Sequence, residues 1–260
     1  MEIKLSNISI KNNFKNININ FKSSEITGVY EDNNFLKKIF VDKINYIGNV
    51  IIDGKSTNND EFKVNYIDFT RTFFTKKVSD EFFLIKRELH ENANYISKVI
   101  SSLNMLGLER DYLDRKINSL SKSEKRLLEI ALNLIINPDI IIFKNPFLYL
   151  DKNNKLNLKK IILKLKRDYN KIVIIIDDNI NNLYNICTHL IIFKNNQVLV
   201  SDKTRVVFSD LSFLINNKID LANTLLFNVL ASKYDKKLPV TSNVNDLIKE
   251  VYRNVKETKK

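Results

Sequence analysis

The stretch INSLSKSEKRLLEIALNLIINPDIIIFKNPFLYLD, residues 117–151, places two elements of opposite kind in an order that constrains everything around them. Ser121 with Glu124 three residues later makes a capping box at the head of a helix-length apolar pattern, SKSEKRLLEIALNLIIN. Asn137, Pro138 and Asp139 interrupt the apolar run, and DIIIF then follows as a strand that is apolar on both faces. The alternation continues with a helical NKLNLKKIILKLKRDY, a buried KIVIIID, a short NINNLYNIC and a buried HLIIF. Strand and helix in turn imply a parallel sheet and an α/β fold.

Upstream, EIKLSNISI, NININF, EITGVY and NYIGNVIIDG read as short strands of an antiparallel layer, the last closing on Gly54 as a turn. From about Val78 to Leu108 the spacing becomes helical, with Gly107 as a C-cap. From Ser209 onward the chain is mostly helical and less apolar, and the Lys-rich end VKETKK reads as a solvated tail. No repeat of solenoid period is present.

Composition bounds the function classes. The 260 residues are 44% hydrophobic and 28% charged, an ordinary globular balance, and no apolar run approaches the length of a membrane span. MEIKLSNISI lacks the basic start and long apolar segment of a secretory signal, and a lone Cys187 suits a reducing compartment, so a cytoplasmic location is expected. The net charge of +12 admits nucleic acid or an acidic membrane surface as a partner. The basic residues are dispersed, however, in a chain crowded with Lys, Asn and Ile, which points to composition as the source of the charge. His90 reads as solvent-facing and His189 as flanking a strand; two distant histidines and one cysteine give no metal site.

Residues 117–151 resemble the signature motif, its helix, the Walker B strand and the D-loop of the ATP-binding-cassette (ABC) ATPases, in that order and spacing. GVYEDNNFLKK, from Gly28, falls on the Walker A pattern with Lys37 at the lysine, KIVIIIDDN takes the place of the switch strand, and IGNVIIDGKS resembles the β-layer hairpin. FFTKKVSDEFFL, RVVFSDLSFLINNKIDL and KKLPVTSNVNDLIKEV narrow the resemblance to the ATPases of energy-coupling-factor (ECF) and cobalt-type importers. The resemblance implies a P-loop NTPase-like ABC ATPase fold, with an antiparallel β layer, a RecA-like parallel core and a helical subdomain. Residues 1–205 would form that domain, with the helical subdomain at about 76–135, and residues 206–260 a small helical extension.

What the resemblance implies for chemistry is mostly loss. Glu31, Asn34 and Leu36 stand where glycines let backbone N–H groups close on phosphate, and Lys38 stands where a hydroxyl holds Mg²⁺. Lys144 replaces the metal-holding aspartate, Asn145 the general base and Asp178 the switch histidine. The Q-loop glutamine has only Ile67 and Asp68 as candidates, and the adenine-stacking aromatic only a displaced Phe14. Ser121, Glu124 and the D-loop Asp151 are kept, although Lys122 and Ser123 replace two glycines. Asn33, Asn34, Lys37, Lys38 and Ser121 are the candidate nucleotide contacts, with ATP possible by resemblance, Mg²⁺ doubtful and no metal ligand assigned.

The expected function is therefore a degenerate cassette of an ECF-type micronutrient importer, at the cytoplasmic face of the membrane, partnering an intact ABC ATPase and a membrane coupling subunit. A hydrolysing ATPase with unusual motifs and a nucleic-acid-associated ABC-like protein are the alternatives; no specific nucleic acid is expected. Lys144 and Lys37 or Lys38 are expected to be neutralised by Asp177 and Asp178, with Glu31 and Asp32 on the same rim and Glu31 or Leu36 occluding the loop.

Overall fold

The computed structural model describes residues 1–11, 13–30, 33–56, 62–88, 94–221, 223–232 and 244–257. Its centre is a six-stranded sheet built around the segment IVIII. β8 (Ile172–Ile176) is buried at all five positions, so neither face can meet water and the strand must lie inside a covered sheet. It pairs in parallel with β3 (Ile26–Tyr30) on one side and β7 (Ile140–Lys144) on the other. β6 (Val64–Ile67) extends the sheet beyond β7, while β9 (His189–Lys194) and the antiparallel β10 (Gln197–Lys203) extend it beyond β3.

A second sheet is antiparallel, in the order β2-β1-β4-β5: β1 (Glu2–Ile10), β2 (Phe14–Lys22), β4 (Ile47–Ile52) and β5 (Lys55–Ser56). Its β4–β5 hairpin turns through Gly54 at φ +83°, as the sequence implies. EITGVY departs from expectation: β3 belongs to the parallel sheet, because both of its faces are buried. The alternation of β1 and β2 buries one face only.

Each face of the parallel sheet carries its own core. On one face the antiparallel layer packs with α1 (Phe35–Phe40), burying Leu5, Phe21, Phe35, Leu36 and Ile39 against Ile142 and Ile174. The other face is covered by helices: α2 (Val78–Glu88), α3 (Tyr95–Met105), α4 (Lys122–Leu134), α5 (Lys152–Tyr169) and α6 (Ile180–Tyr184). α7 (Thr204–Ser209), α8 (Leu211–Asn216), α9 (Asn223–Ser232) and α10 (Val244–Glu257) follow the last strand, and Phe208, Leu214 and Leu225 join the helical-side core. The end of the chain is helical through Glu257, beyond the point where the sequence reads as a solvated tail.

Helix boundaries follow local chemistry. Gly107, at φ +71°, ends α3 in the left-handed conformation. At α4 the capping box forms in full: the Ser121 hydroxyl accepts from the Glu124 N–H at 3.2 Å, and the Glu124 carboxylate accepts from the Ser121 N–H at 2.8 Å. Arg115 pairs with the same carboxylate. Burial pushes that carboxyl upward, but the bonds from Ser121 and Arg115 outweigh it and hold it below the usual range.

Most described aromatic side chains are buried or packed against a core, as their periodic positions imply, though Phe74, Phe83, Tyr149, Tyr169, Phe227 and Tyr252 are exposed. Because two N-terminal donors depend on the box, Ser121→Ala should lower the unfolding free energy by about 1 kcal/mol, and Ser121→Thr by clearly less. Urea denaturation of the two variants beside the parent chain measures both.

Candidate functional site

The register of the parallel strands brings three loops together at their C-terminal ends. Lys144 lies opposite Ile176, and Ile176 lies opposite Val29, so the segments after Tyr30, after Lys144 and after Ile176 open on one rim. This edge is where α/β sheets place their ligand sites. The Asp177 N–H donates to the Val29 carbonyl at 3.1 Å and the Asn145 N–H to the Ile176 carbonyl at 2.7 Å, lacing the rim together.

The first loop keeps a glycine-like backbone without its glycines. Asn33 and Asn34 take left-handed φ values of 47° and 60°, a conformation that asparagine tolerates better than other non-glycine residues. Asn145, at φ 47°, does the same in the second loop. Of the three positions where the family pattern has glycine, Asn34 takes the left-handed conformation, Leu36 is helical and Glu31 lies outside the described residues. The side chains are another matter. Helical periodicity turns Phe35 and Leu36 into the core and leaves Lys37 and Lys38 half-buried on the outer side, so Leu36 packs inward instead of covering the loop. Glu31 and Asp32 lie outside the described residues, as does His90. Gly28 serves packing: a Cβ there would stand 2.8 Å from the Cys187 sulfur.

The four ionic residues near this loop each have close partners. Lys37 reaches the Asp68 carboxylate at 4.0 Å, and Lys38 lies 5.1 Å from the centre of the Phe14 ring. Phe14 is itself fully buried against Phe35 and Phe193, so it offers no exposed face to a base. Asp177 turns its carboxylate to the start of α6, accepting from the Asn179 N–H at 2.8 Å and from the Asn182 amide at 3.0 Å. Burial raises its pKa in spite of those bonds. Asp178 is exposed, and its carboxylate accepts from the Asn145 amide at 2.9 Å while its N–H donates to the Asn145 side-chain oxygen at 3.1 Å. Asp177 and Asp178 thus have asparagine partners along the rim. Lys144 is half-buried at the end of β7.

On the far side of the rim, α4 contributes two residues that the motif reading passed over. Arg126 donates to the Pro146 carbonyl at 3.1 Å, contacts the Asn145 carbonyl at 3.4 Å, and stacks 4.3 Å from the Phe69 ring centre. Glu129 is buried one turn further on, and burial first, then the nearby Asp68 charge, push its carboxyl up to about 7 against the pull of the Phe69 N–H, Arg71 and Arg126. The signal was present: Arg126 and Glu129 interrupt the apolar pattern RLLEIAL at a spacing that puts both on one face. With Arg71, Lys122 and Tyr149 they line a cleft of about 530 Å³. Ser121 caps α4 beside it, and Asp151 is exposed and caps α5 through the Asn154 N–H at 2.9 Å. Away from the rim, His189 begins β9 with its ring 3.0 Å from the Ser201 hydroxyl, the strand-flanking place expected of it.

The chain is similar to known proteins in sequence and in fold. A 160-residue stretch is 30% identical to the energy-coupling factor transporter ATP-binding protein EcfA of Malacoplasma penetrans, covering 62% of this chain and 55% of that protein. Over 256 residues the chain is 25% identical to the energy-coupling factor transporter ATP-binding protein EcfA1 of Mesomycoplasma hyopneumoniae, covering 94% of this chain and 92% of that one. The chain thus spans about half of the first relative and nearly all of the second. Its fold matches cbiO1 from Clostridium perfringens, part of the ABC transporter complex cbiONQ, with a TM-score of 0.70 at 17% identity over 84% of this chain and 95% of that one. No family model matches the chain.

The chain is similar to ATP-binding proteins of energy-coupling factor transporters, and its fold is that of the ABC ATPase cassettes.

The described residues at the nucleotide end of the sheet do not fit Mg²⁺. The two positions that the resemblance gives to the ion carry Lys38 and Lys144, whose charges repel it. Among the described residues no group of three or more His, Cys, Asp or Glu side chains could hold a metal. A phosphate at Lys37 would meet the Asp68 carboxylate already paired there.

Glu129 gives this cassette a measurable pH signature. Its native pKa of about 7 lies above its ordinary value of 4.5, so the folded protein holds the proton more tightly than the unfolded chain. The group's contribution to stability is present at pH 4.5 and falls as pH rises through about 7. Glu129→Gln, neutral throughout, should match the parent near pH 4.5 and exceed it by about 1–3 kcal/mol at pH 8, as read from urea denaturation across that range.

Proposed function

We propose that the chain is a non-catalytic cassette of an ECF-type micronutrient importer, one that pairs with an intact ABC ATPase and couples it to a membrane subunit. The observation that carries this reading is the reciprocal hydrogen-bonding of Asn145 and Asp178. These residues stand at the general-base and switch positions. An asparagine amide cannot accept a proton at neutral pH, and here both of its polar atoms are taken up by the residue that would have sensed the γ-phosphate. The Lys37–Asp68 pair supports the same reading at the phosphate position, and Lys38 and Lys144 speak against Mg²⁺.

What a cassette presents to its partner is better kept. The capped start of α4 with Ser121 can face the phosphates of an ATP held by the sibling subunit, and Asp151 with the exposed Leu148 and Tyr149 forms the D-loop surface next to it. In this reading ATP belongs to the sibling's Walker loop, and Asn33, Asn34, Lys37 and Lys38 bind nucleotide weakly or not at all. Residues 1–205 act as the cassette, with a helical subdomain at about 76–135, and residues 206–260 as its extension. No helix among the described residues is long and apolar enough to cross a membrane. The membrane contact is therefore assigned to the coupling subunit, with this chain peripheral on the cytoplasmic face. Hydrolysis in its own site is the less favoured alternative, and no observation favours nucleic acid.

The purified chain alone should show no ATP turnover above background, and coexpression with an intact ECF-type ATPase should yield a one-to-one pair. Turnover by that pair should drop at least about tenfold when Ser121 is replaced by Arg, because the substitution projects bulk and charge from the α4 start. Steady turnover by the isolated chain that Lys37→Ala abolishes would overturn the proposal.

A further inference from the structure

At the other end of the sheet, where β7 and β8 begin, α3 and the C-terminal ends of α4 and α5 enclose a cleft remote from the rim just described. It has two adjoining lobes of about 400 and 430 Å³ that share Ser97, Ser101, Met105 and Tyr169. That size is within the range of small-molecule sites, about 300–1,000 Å³. The floor is apolar: Leu134, Ile135, Pro138, Ile141 and Leu165 come from three different elements and present no charge. Around the opening stand Lys98, Lys164 and Lys171, and among the described residues no Asp or Glu lines either lobe.

Lys164 and Lys171 are only partly exposed and line the cleft, as such long amphipathic side chains do when their stems cover apolar surface. The hydroxyls of Ser97 and Ser102 donate to carbonyls of their own helix, at 2.7 and 2.8 Å, so the charge at the opening comes from lysine. A bare phosphate would match the lysines and leave the floor uncovered. A neutral hydrocarbon would do the reverse. The arrangement suits one molecule with both properties.

We propose that this cleft binds an amphiphilic anion: a phosphate- or carboxylate-headed alkyl chain, its head at Lys98, Lys164 and Lys171 and its chain on the Leu134–Ile135–Ile141–Leu165 floor. Two sources share that chemistry, a free amphiphile and an anionic membrane lipid. Neither involves the nucleotide end of the sheet, so the inference stands apart from the functional reading above.

The test is calorimetric titration of the full chain with monomeric octyl and decyl phosphate, beside inorganic phosphate and octanol. Both alkyl phosphates should bind saturably, the decyl compound more tightly by about fourfold per added methylene. Inorganic phosphate and octanol should each bind at least about tenfold more weakly than octyl phosphate. The double variant Lys164→Ala/Lys171→Ala should lose about tenfold or more, and Ser101→Trp, which fills the shared wall of the lobes, should block the chain without removing a charge. Circular dichroism establishes that each variant is folded, and Lys166→Ala on the same helix serves as the control.

Flotation with phosphatidylglycerol vesicles separates the sources. Vesicle binding lost in both variants assigns the site to membrane lipid, and soluble binding without flotation assigns it to a free amphiphile; either supports the proposal. Absence of saturable binding by both alkyl phosphates, or binding unchanged in both folded variants, overturns it.

Discussion

The burial of β8 on both faces is the constraint from which the rest follows. Five consecutive β-branched residues with no polar side cannot form an edge, so Ile172–Ile176 must be flanked by strands and covered by two layers. Once it lies between β3 and β7, the three following segments open on one rim whatever their side chains are. The antiparallel layer and α1 then cover one face and the long helices the other, each with its own core. The geometry of the rim is thus a by-product of packing.

Few glycines suffice for that geometry. The chain has four, yet fifteen non-glycine residues among those described take positive φ, and ten of them are asparagine. A side-chain amide that can bond to its own backbone lowers the penalty of the left-handed region, so asparagine turns the chain where glycine otherwise would. Asn33, Asn34 and Asn145 are the instances at the rim. Backbone shape there is set by asparagine, whereas metal binding and proton transfer depend on side-chain chemistry.

The rim has been rebuilt as a set of local pairs. Asp178 bonds Asn145, Asp177 bonds Asn182, Lys37 reaches Asp68 and Arg126 ties α4 to the loop after β7. The bonds to Asp177 satisfy a carboxylate that burial would otherwise penalise. Glu129 is buried as well. It lies deep enough, and close enough to Asp68, for its carboxyl to titrate near neutrality.

By itself the sequence determined the parts whose cause is local. The capping box at Ser121 and Glu124, the Gly107 helix end, the Gly54 hairpin and the order of strands and helices after residue 117 follow from nearest-neighbour chemistry and periodicity, and the structure holds them all. The Lys144, Asn145 and Asp178 positions were legible for the same reason, since they immediately follow or end strands whose apolar runs are unmistakable. What only the tertiary structure decided is which of these groups meet. β3 reads as well for an antiparallel strand as for a parallel one until its second face is seen to be covered. The partners of Asp177, Asp178 and Lys37 depend on separations of a few ångströms between segments far apart in the chain, and Arg126 and Glu129 became part of the site only when α4 packed against the ends of β6 and β7. A hydrogen bond or ion pair is made or lost within such distances, and residue spacing along the chain does not encode them.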